Sequence, residues 1–404
     1  MRYKKPNLFF YRVAQFASWL VAKLVFRRRI LRNELKHHTG SFVVIANHQA
    51  ALDFVNLIGS TRRPMSFVIS NCFYNTLPIK GFLTKMGVIP KQQFQTSAKD
   101  LKNIKAVIDA GEGAAIYPAG LMCEDGLSTP IPAATYKFLK WLDTDVYVAR
   151  TSGTYFVMPK WGKGFRPGRT YMDIYRLFSK EELTNLSLEE IKAKTDAALL
   201  FDAYREQEGY QVDYQGGDRI TGLEQVLYQC PHCGTEFSMH TAEGNKLYCD
   251  ACGFTEVSDR QGFLHRQGTV GTELRYVSDW SRSIYQALKE SICQNDSLVL
   301  NTPVAIHMID YKACKFRPCG KGQLTLSKDE LILEGTVNDT PLTERFPIGN
   351  LPSLPFSPGK HLELQQGQTI YRCLPENGRL VMKLINMVKI YYELSHTADQ
   401  TATH

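Results

Sequence analysis

The stretch Ser41–Phe54, SFVVIANHQAALDF, constrains this chain more than any other. An unbroken apolar run, Phe42 to Ala46, stops at Asn47-His48, and Asp53 follows after four intervening residues. A short β-branched run bounded by Gly40 and Asn47 reads as a buried strand, so the imidazole should sit where the backbone leaves the sheet. In α/β sheets that edge is where ligands bind. An unperturbed imidazole has a pKa of about 6.5 and can take a proton from an alcohol near neutral pH, provided its second ring nitrogen is held. Asp53 can hold it if the turn folds back, as a triad aspartate does. No Ser or Cys nucleophile stands beside the pair, so the attacking hydroxyl is expected to come from the substrate. The bland alternative is a helix-capping His48 and an exposed first-turn Asp53.

At 404 residues, 44% hydrophobic and 22% charged, the chain has room for two or three domains with a large core. Ten Cys are few for this length, and four of them form paired CxxC units, which fits a reducing compartment better than a disulfide framework. The net charge of +8 is unevenly placed: residues 1–40 hold ten Lys/Arg against one acid, Glu34. Between these charges runs Asn7–Phe26, rich in aromatics and broken by Arg12 and Lys23. Two charges within so short a run argue against a bilayer-spanning helix and for an interfacial one, with Phe9, Phe16, Trp19, Leu20 and Phe26 toward lipid and the basic residues toward anionic headgroups. No small-residue cleavage site follows, since the chain continues Arg27-Arg28-Arg29, so a cleaved signal peptide fits poorly. A core helix flanked by solvated charges is the alternative.

Helical and extended segments then alternate through residue 178. Ser97–Asp100 has the form of a capping box, with Leu101, Ile104, Val107 and Ile108 on one face of the helix after it. Ala114–Tyr117, Val146–Ala149, Thr154–Met158 and Tyr171–Phe178 read as strands. Ala133–Leu142 and a long capped segment, Ser187–Arg205, read as helices. This alternation predicts an α/β domain with a largely parallel sheet.

With His48 and Asp53 after a strand, behind a basic aromatic N-terminal helix, the chain resembles the glycerolipid and lysophospholipid acyltransferase superfamily over about residues 1–210. Asn47, His48 and Asp53 match that family's NHxxxxD signature. Gly87-Val88-Ile89-Pro90-Lys91 is similar to its second block, with Lys91 for the usual Arg. Tyr117-Pro118-Ala119-Gly120-Leu121-Met122 stands where the family has Phe-Pro-Glu-Gly-Thr-Arg. The resemblance implies transfer of a fatty acyl group from acyl-CoA or acyl-carrier protein to a lipid hydroxyl, with His48 as general base, Asp53 orienting it and no covalent acyl-enzyme. Asn47, Lys91, Tyr117, Pro118, Ala119 and Gly120 fall at its substrate-binding positions. The family's third-block Glu and Arg help to bind a glycerol phosphate, and here they are Ala119 and Met122. Met cannot form a guanidinium fork on a phosphate. Either Lys91, or a set comprising Arg150, Lys160, Lys163, Arg166 and Arg169, supplies the missing charge, or the acceptor lacks a phosphomonoester, as a lysoglycolipid would. A solvated face is the other reading of the basic set, and a tight strand-end turn that of YPAG.

Downstream, residues 211–225 read as a polar linker and 226–258 as a zinc ribbon. Cys230-Pro-His-Cys233 and Cys249-Asp-Ala-Cys252 are separated by 15 residues, and each is followed by a glycine. Four thiolates make a closed tetrahedral site, so Zn2+ there should be structural; His232 and His240 are expected to be bystanders. Residues 259–296 read as a helical connector containing an amphipathic helix, Asp279–Cys293. Residues 297–396 read as a β-rich domain closed by a helix, Arg379–Leu394, similar in order and length to pleckstrin-homology-like modules. The expected whole is an α/β acyltransferase domain behind a membrane-interfacial segment (1–35), followed by the ribbon and the β-rich domain. It would act peripherally or monotopically on the cytoplasmic face of a membrane, with an anionic surface, a lipid acceptor and acyl-carrier protein as its candidate partners. An inactive lipid-binding adaptor on the same fold is the alternative. Nucleic acid is disfavoured because the basic excess lies away from the ribbon.

Overall fold

The computed structural model describes residues 5–92, 97–295, 298–367 and 369–401. Arg2 and Lys4 of the basic N-terminal set lie outside these, as do positions 296 and 297, where the connector and the β-rich domain were expected to meet. The chain forms two compact units. The first holds the chain up to Lys160 with 164–216 and 260–262; the second holds 161–163, 217–259 and 263 onward.

The first unit begins with α1 (Leu8–Leu24), β1 (Arg29–Asn33), β2 (Phe42–Ala46), α2 (Asp53–Ile58) and β3 (Met65–Ser70). It continues through α3 (Asn71–Thr76), α4 (Lys80–Lys85), β4 (Ile89–Lys91), α5 (Ala98–Asp109), β5 (Gly113–Ile116), α6 (Ala134–Leu142) and β6 (Asp145–Ser152). It ends with α7 (Thr154–Val157), β7 (Tyr171–Phe178), α8 (Lys180–Asn185), α9 (Leu188–Leu199) and α10 (Ala203–Tyr210). Seven strands pair in the order β1-β7-β6-β2-β5-β3-β4, all parallel except β6 against β7. Side chains alternate across a strand, so β2 feeds two cores. Val43 and Ile45 pack with Val107, Leu139 and Ile191 of α5, α6 and α9 on one face. Phe42, Val44 and Ala46 pack with Tyr11 and Ala14 of α1 on the other. Only glycine fits at position 113, because a Cβ there would lie 2.2 Å from the Phe42 ring.

The local readings differ from the structure where tertiary contacts override pattern. Thr154–Val157 is a helical turn rather than a strand, since β6 extends to Ser152 and Gly153, at φ 85°, turns the chain. Ser187 does cap α9 with a capping box, but the long helix breaks at Leu200, and Asp202 caps a separate α10. Ser97 makes no side-chain cap bond; Asp100 instead accepts from the Gln92 amide. The N-terminal segment does not stop at residue 35 as a separate piece: β1 pairs with β7, and Phe26, expected on the lipid side, is fully buried.

The second unit opens with a four-stranded antiparallel sheet, β8 (Met239–Ala242), β9 (Lys246–Cys249), β10 (Thr255–Ser258) and β11 (Leu264–Gln267), in the order β11-β10-β9-β8. The ribbon therefore extends past 258 into the expected connector. Its helix α11 (Val277–Gln294) carries a fully buried Trp280 whose indole N–H donates to the Gln229 carbonyl at 3.0 Å. The expected linker is not free either: Val212, Tyr214, Ile220 and Leu223 are buried. Seven antiparallel strands follow: β12 (Leu300–Asp310), β13 (Lys315–Leu326), β14 (Glu330–Val337), β15 (Thr340–Pro347), β16 (Phe356–Ser357), β17 (His361–Gln366) and β18 (Thr369–Pro375). Their order is β15-β14-β13-β12-β18-β17-β16, and α12 (Leu380–Thr401) closes them with Val381, Leu384, Ile385, Met387 and Val388 buried. Lys383 pairs with Glu236 at 2.6 Å and Arg379 donates to the Phe237 carbonyl, which ties the ribbon to this helix.

Candidate active site

β2 ends at Ala46, and the next residues turn back over the strand end. The Asn47 side chain stays at the sheet: its amide donates to the Thr151 carbonyl at 2.8 Å, and its carbonyl accepts from the Thr151 N–H at 2.8 Å. That bidentate clamp joins the ends of β2 and β6 beneath the next residue. Gln49 is fully buried and accepts from the Thr154 hydroxyl and the Tyr155 amide. The polypeptide is thus held on both sides of His48.

Asp53, at the start of α2, turns one carboxylate oxygen back into this loop. Oδ2 lies 3.0 Å from His48 Nδ1 and accepts the amides of Gln49 at 2.7 Å and Ala50 at 2.9 Å. Asp53 is 1% exposed, whereas the His48 side chain is 20% exposed. The carboxylate is fixed by backbone donors and the imidazole by the carboxylate, which leaves Nε2 as the ring's free nitrogen among the described residues. With Asp53 ionised, Nδ1 carries the proton and Nε2 is the acceptor, the tautomer a general base needs. The exposed first-turn acid of the bland alternative does not exist here.

β5 delivers Tyr117-Pro118-Ala119-Gly120 beside the pair. Gly120, at φ 71°, closes the turn by donating its N–H to the Tyr117 carbonyl at 3.0 Å, a conformation that favours glycine. The Tyr117 ring lies 4.5 Å from the imidazole, centroid to centroid. Burial holds its phenol far above the usual range, so it stays protonated. Cys123, absent from the sequence reading, donates its backbone N–H to the His48 carbonyl at 3.1 Å, and burial pushes its thiol up, away from reactivity.

A cavity of about 350 Å³ opens at the imidazole, within the size range of small-molecule sites. Ala46, Asn47, His48, Pro118, Ala119 and Leu121 form one part of its lining. Of the two charge sources weighed from sequence, neither lines it. Lys91 lies on edge strand β4 and donates to the Gln92 carbonyl at 3.0 Å, with burial lowering its pKa. Arg150 is held by Glu206 at 2.5 Å. Lys160 donates to the Met122 carbonyl at 3.5 Å, Arg166 is buried, and Lys163 and Arg169 are exposed. The cavity's charged pair, Lys192 and Asp196 of α9, escaped the sequence reading because nothing in a helix of mixed charge marks which turn will face a cleft at His48, 144 positions before Lys192.

In the second unit the sulfurs of Cys230, Cys233, Cys249 and Cys252 all lie within 4.8 Å of one another, with Cys230–Cys252 at 3.7 Å and Cys233–Cys249 at 3.8 Å. A tetrahedron with metal–sulfur bonds of about 2.3 Å requires sulfurs about 3.8 Å apart, so the donor set fits a metal ion. The Thr235 hydroxyl, 3.2 Å from Cys233 Sγ, holds that thiol down at about 6, which favours the ligating thiolate. His240 is engaged elsewhere, 3.0 Å from Asp250.

Along α1, one face is buried through Tyr11, Ala14, Ser18 and Ala22, while Phe9, Phe16, Trp19, Leu20 and Leu24 are exposed. Among the described residues, no helix is long and apolar enough to cross a membrane. Part of the basic set is committed internally. Arg28 donates to the carbonyls of Asn56 and Gly59, with burial lowering its pKa to about 10, and Arg32 pairs with Asp173 at 2.8 Å.

Residues 27–164 match the family model described as Acyltransferase. No curated protein matches the chain. Among solved structures, the 1-acyl-sn-glycerophosphate (LPA) acyltransferase PlsC from Thermotoga maritima is similar at 15% identity and a TM-score of 0.41, over 50% of this chain and 79% of that one. An SsgA-like sporulation-specific cell division protein from Thermobifida fusca is similar at 11% identity and a TM-score of 0.14, over 26% of this chain and 98% of that one.

Proposed function

We propose that this chain, whose residues 27–164 form an acyltransferase-family domain, moves a fatty acyl group from acyl-CoA or acyl-carrier protein to a hydroxyl of a lysophospholipid or related glycerolipid. The acceptor hydroxyl gives its proton to His48 Nε2 as its oxygen attacks the thioester carbonyl. The carbon–sulfur bond breaks, and the imidazolium returns the proton to the leaving thiolate. Asp53 stabilises the imidazolium and fixes the ring; a positioned base of this kind is worth about 10²- to 10⁴-fold in rate. The observation that carries the reading is the 3.0 Å contact between His48 Nδ1 and Asp53 Oδ2, with His48 lining a cavity. An adaptor that had lost activity would have no need of that pair, with its carboxylate desolvated and held by two backbone amides.

The exposed aromatic face of α1 supports action at a membrane surface, on the cytoplasmic side if the cysteines remain reduced. The four-thiol cluster supports a bound Zn2+ that holds the ribbon's loops together and, with every position filled by sulfur, takes no part in the reaction. The test is to offer purified protein labelled palmitoyl-CoA, and separately palmitoyl-acyl-carrier protein, with a panel of lysolipids. Label passing to a lysolipid in the wild type and not in His48→Ala supports the proposal; label passing to none overturns it.

A further inference from the structure

The polar side chains of the His48 cavity outline the kind of head it accepts. Five contribute beyond the catalytic loop: Ser128, Thr129, Tyr136, Lys192 and Asp196. Asp196 is the hub, accepting the Tyr136 hydroxyl at 2.5 Å through Oδ1 and pairing with Lys192 through Oδ2. Burial, with the Asp196 carboxylate second, raises the Tyr136 pKa, so the phenol remains a donor. Lys192 and Asp196 cancel one another's charge. Ala119 and Leu121 add none, and Lys91 and Arg150 do not line the cavity. A dianionic phosphomonoester would enter a cleft whose lining carries no surplus positive charge, and would meet a carboxylate already paired with Lys192. A cationic head would meet the reverse difficulty. Hydroxyl groups suit the set: each can donate to Asp196 and accept from Lys192, Ser128 or Thr129.

Resting on the acyl-transfer reading above, we infer that the acceptor carries an uncharged, hydroxyl-bearing head of the glycerol or sugar type, and that Asp196, Lys192 and Tyr136 are the residues selecting it. These are specificity residues, not catalytic ones.

The full-length protein would be given labelled palmitoyl thioester and four acceptors: a monoacyl glycosylglycerol, monoacylglycerol, lysophosphatidate and lysophosphatidylethanolamine. The expected result is a kcat/KM for the glycosylglycerol or the monoacylglycerol about tenfold or more above that for lysophosphatidate. Asp196→Asn should raise the KM for the preferred acceptor about fivefold, the scale of one polar contact, with kcat within about twofold. Lys192→Met, at a side chain 58% exposed, should fold normally and raise the same KM about threefold. Should Asp196→Asn melt early, Lys192→Met decides alone. Preference for lysophosphatidate, or Lys192→Met weakening lysophosphatidate alone, overturns the head assignment and leaves acyl transfer standing. Preference for lysophosphatidylethanolamine does the same. Transfer to none of the four, with either thioester, overturns both.

Discussion

His48 and Asp53 follow the end of a strand packed on both faces, while of the four cysteines Cys249 ends a strand four residues long and Cys230, Cys233 and Cys252 lie in turns outside the short strands. In the first case the apolar layers form the sheet, and the sheet end presents the imidazole. On the proposed reading the imidazole contributes chemistry that the fold does not need. In the second, the strands are short, and on the proposed reading a shared ion would cross-link the two CxxC turns beside them. The lesson is that a site can be a product of folding or a cause of it, and that substitution separates the two cases.

The largest effect is therefore expected at the thiols. Apparent metal binding by such knuckles is worth about 10–16 kcal/mol. Exhaustive chelation, or Cys230→Ser with Cys233→Ser, should abolish or strongly lower a thermal transition and make the remaining cluster thiols reactive toward a thiol reagent. An unchanged melt after verified metal removal would break the comparison. Next comes His48→Ala, which should lower kcat by about 10²- to 10⁴-fold with the melting temperature hardly moved. Asp53→Asn should lower both, because two backbone amides lose a charged acceptor. If His48→Ala also unfolded the protein, the first site would not be a mere product of folding.

A smaller effect tests the surface between these extremes. Phe16→Ser and Trp19→Ser remove side chains 66% and 43% exposed, and each should weaken binding to anionic phospholipid vesicles about fivefold, with no loss of melting temperature. Unchanged vesicle binding would leave α1 as an ordinary, if greasy, covering helix.

The smallest effect is one of pH. Burial raises the Glu256 carboxyl in β10 from about 4.5 to about 7. A carboxyl raised in the folded state contributes stability that is complete below its unfolded value and is lost as pH climbs through the folded one. The stability gap between Glu256→Gln and wild type should therefore widen in favour of the variant between pH 5 and pH 8, read as the difference between paired melts. A constant gap would mean that Glu256 does not titrate differently in the folded chain.

The geometry of the two sites was legible where it rests on short-range order. NHxxxxD keeps His48 and Asp53 within one turn, so their contact follows from a loop that any strand-to-helix exit makes. CxxC pairs likewise bring sulfurs together locally. What the sequence concealed depends on distant partners. Nothing near Asn47 announces that its amide will be consumed by Thr151, and nothing in the Arg150 strand reveals Glu206 waiting on α10. Thr154–Val157 has strand composition and a helical fate because Gly153 sets the preceding backbone. Local pattern reports which residues can do a thing; packing decides which are left free to do it.

The way α1 is seated has a practical consequence. The Met65 N–H at the start of β3 donates to the Tyr11 hydroxyl at 3.1 Å, and Tyr11 and Phe26 are both fully enclosed. Trimming the first two dozen residues to obtain better-behaved protein would strip the cover from one side of the sheet, replacing a sticky helix with a stickier wound. Detergent, or point changes on the outward aromatics, is the sounder route to a soluble sample.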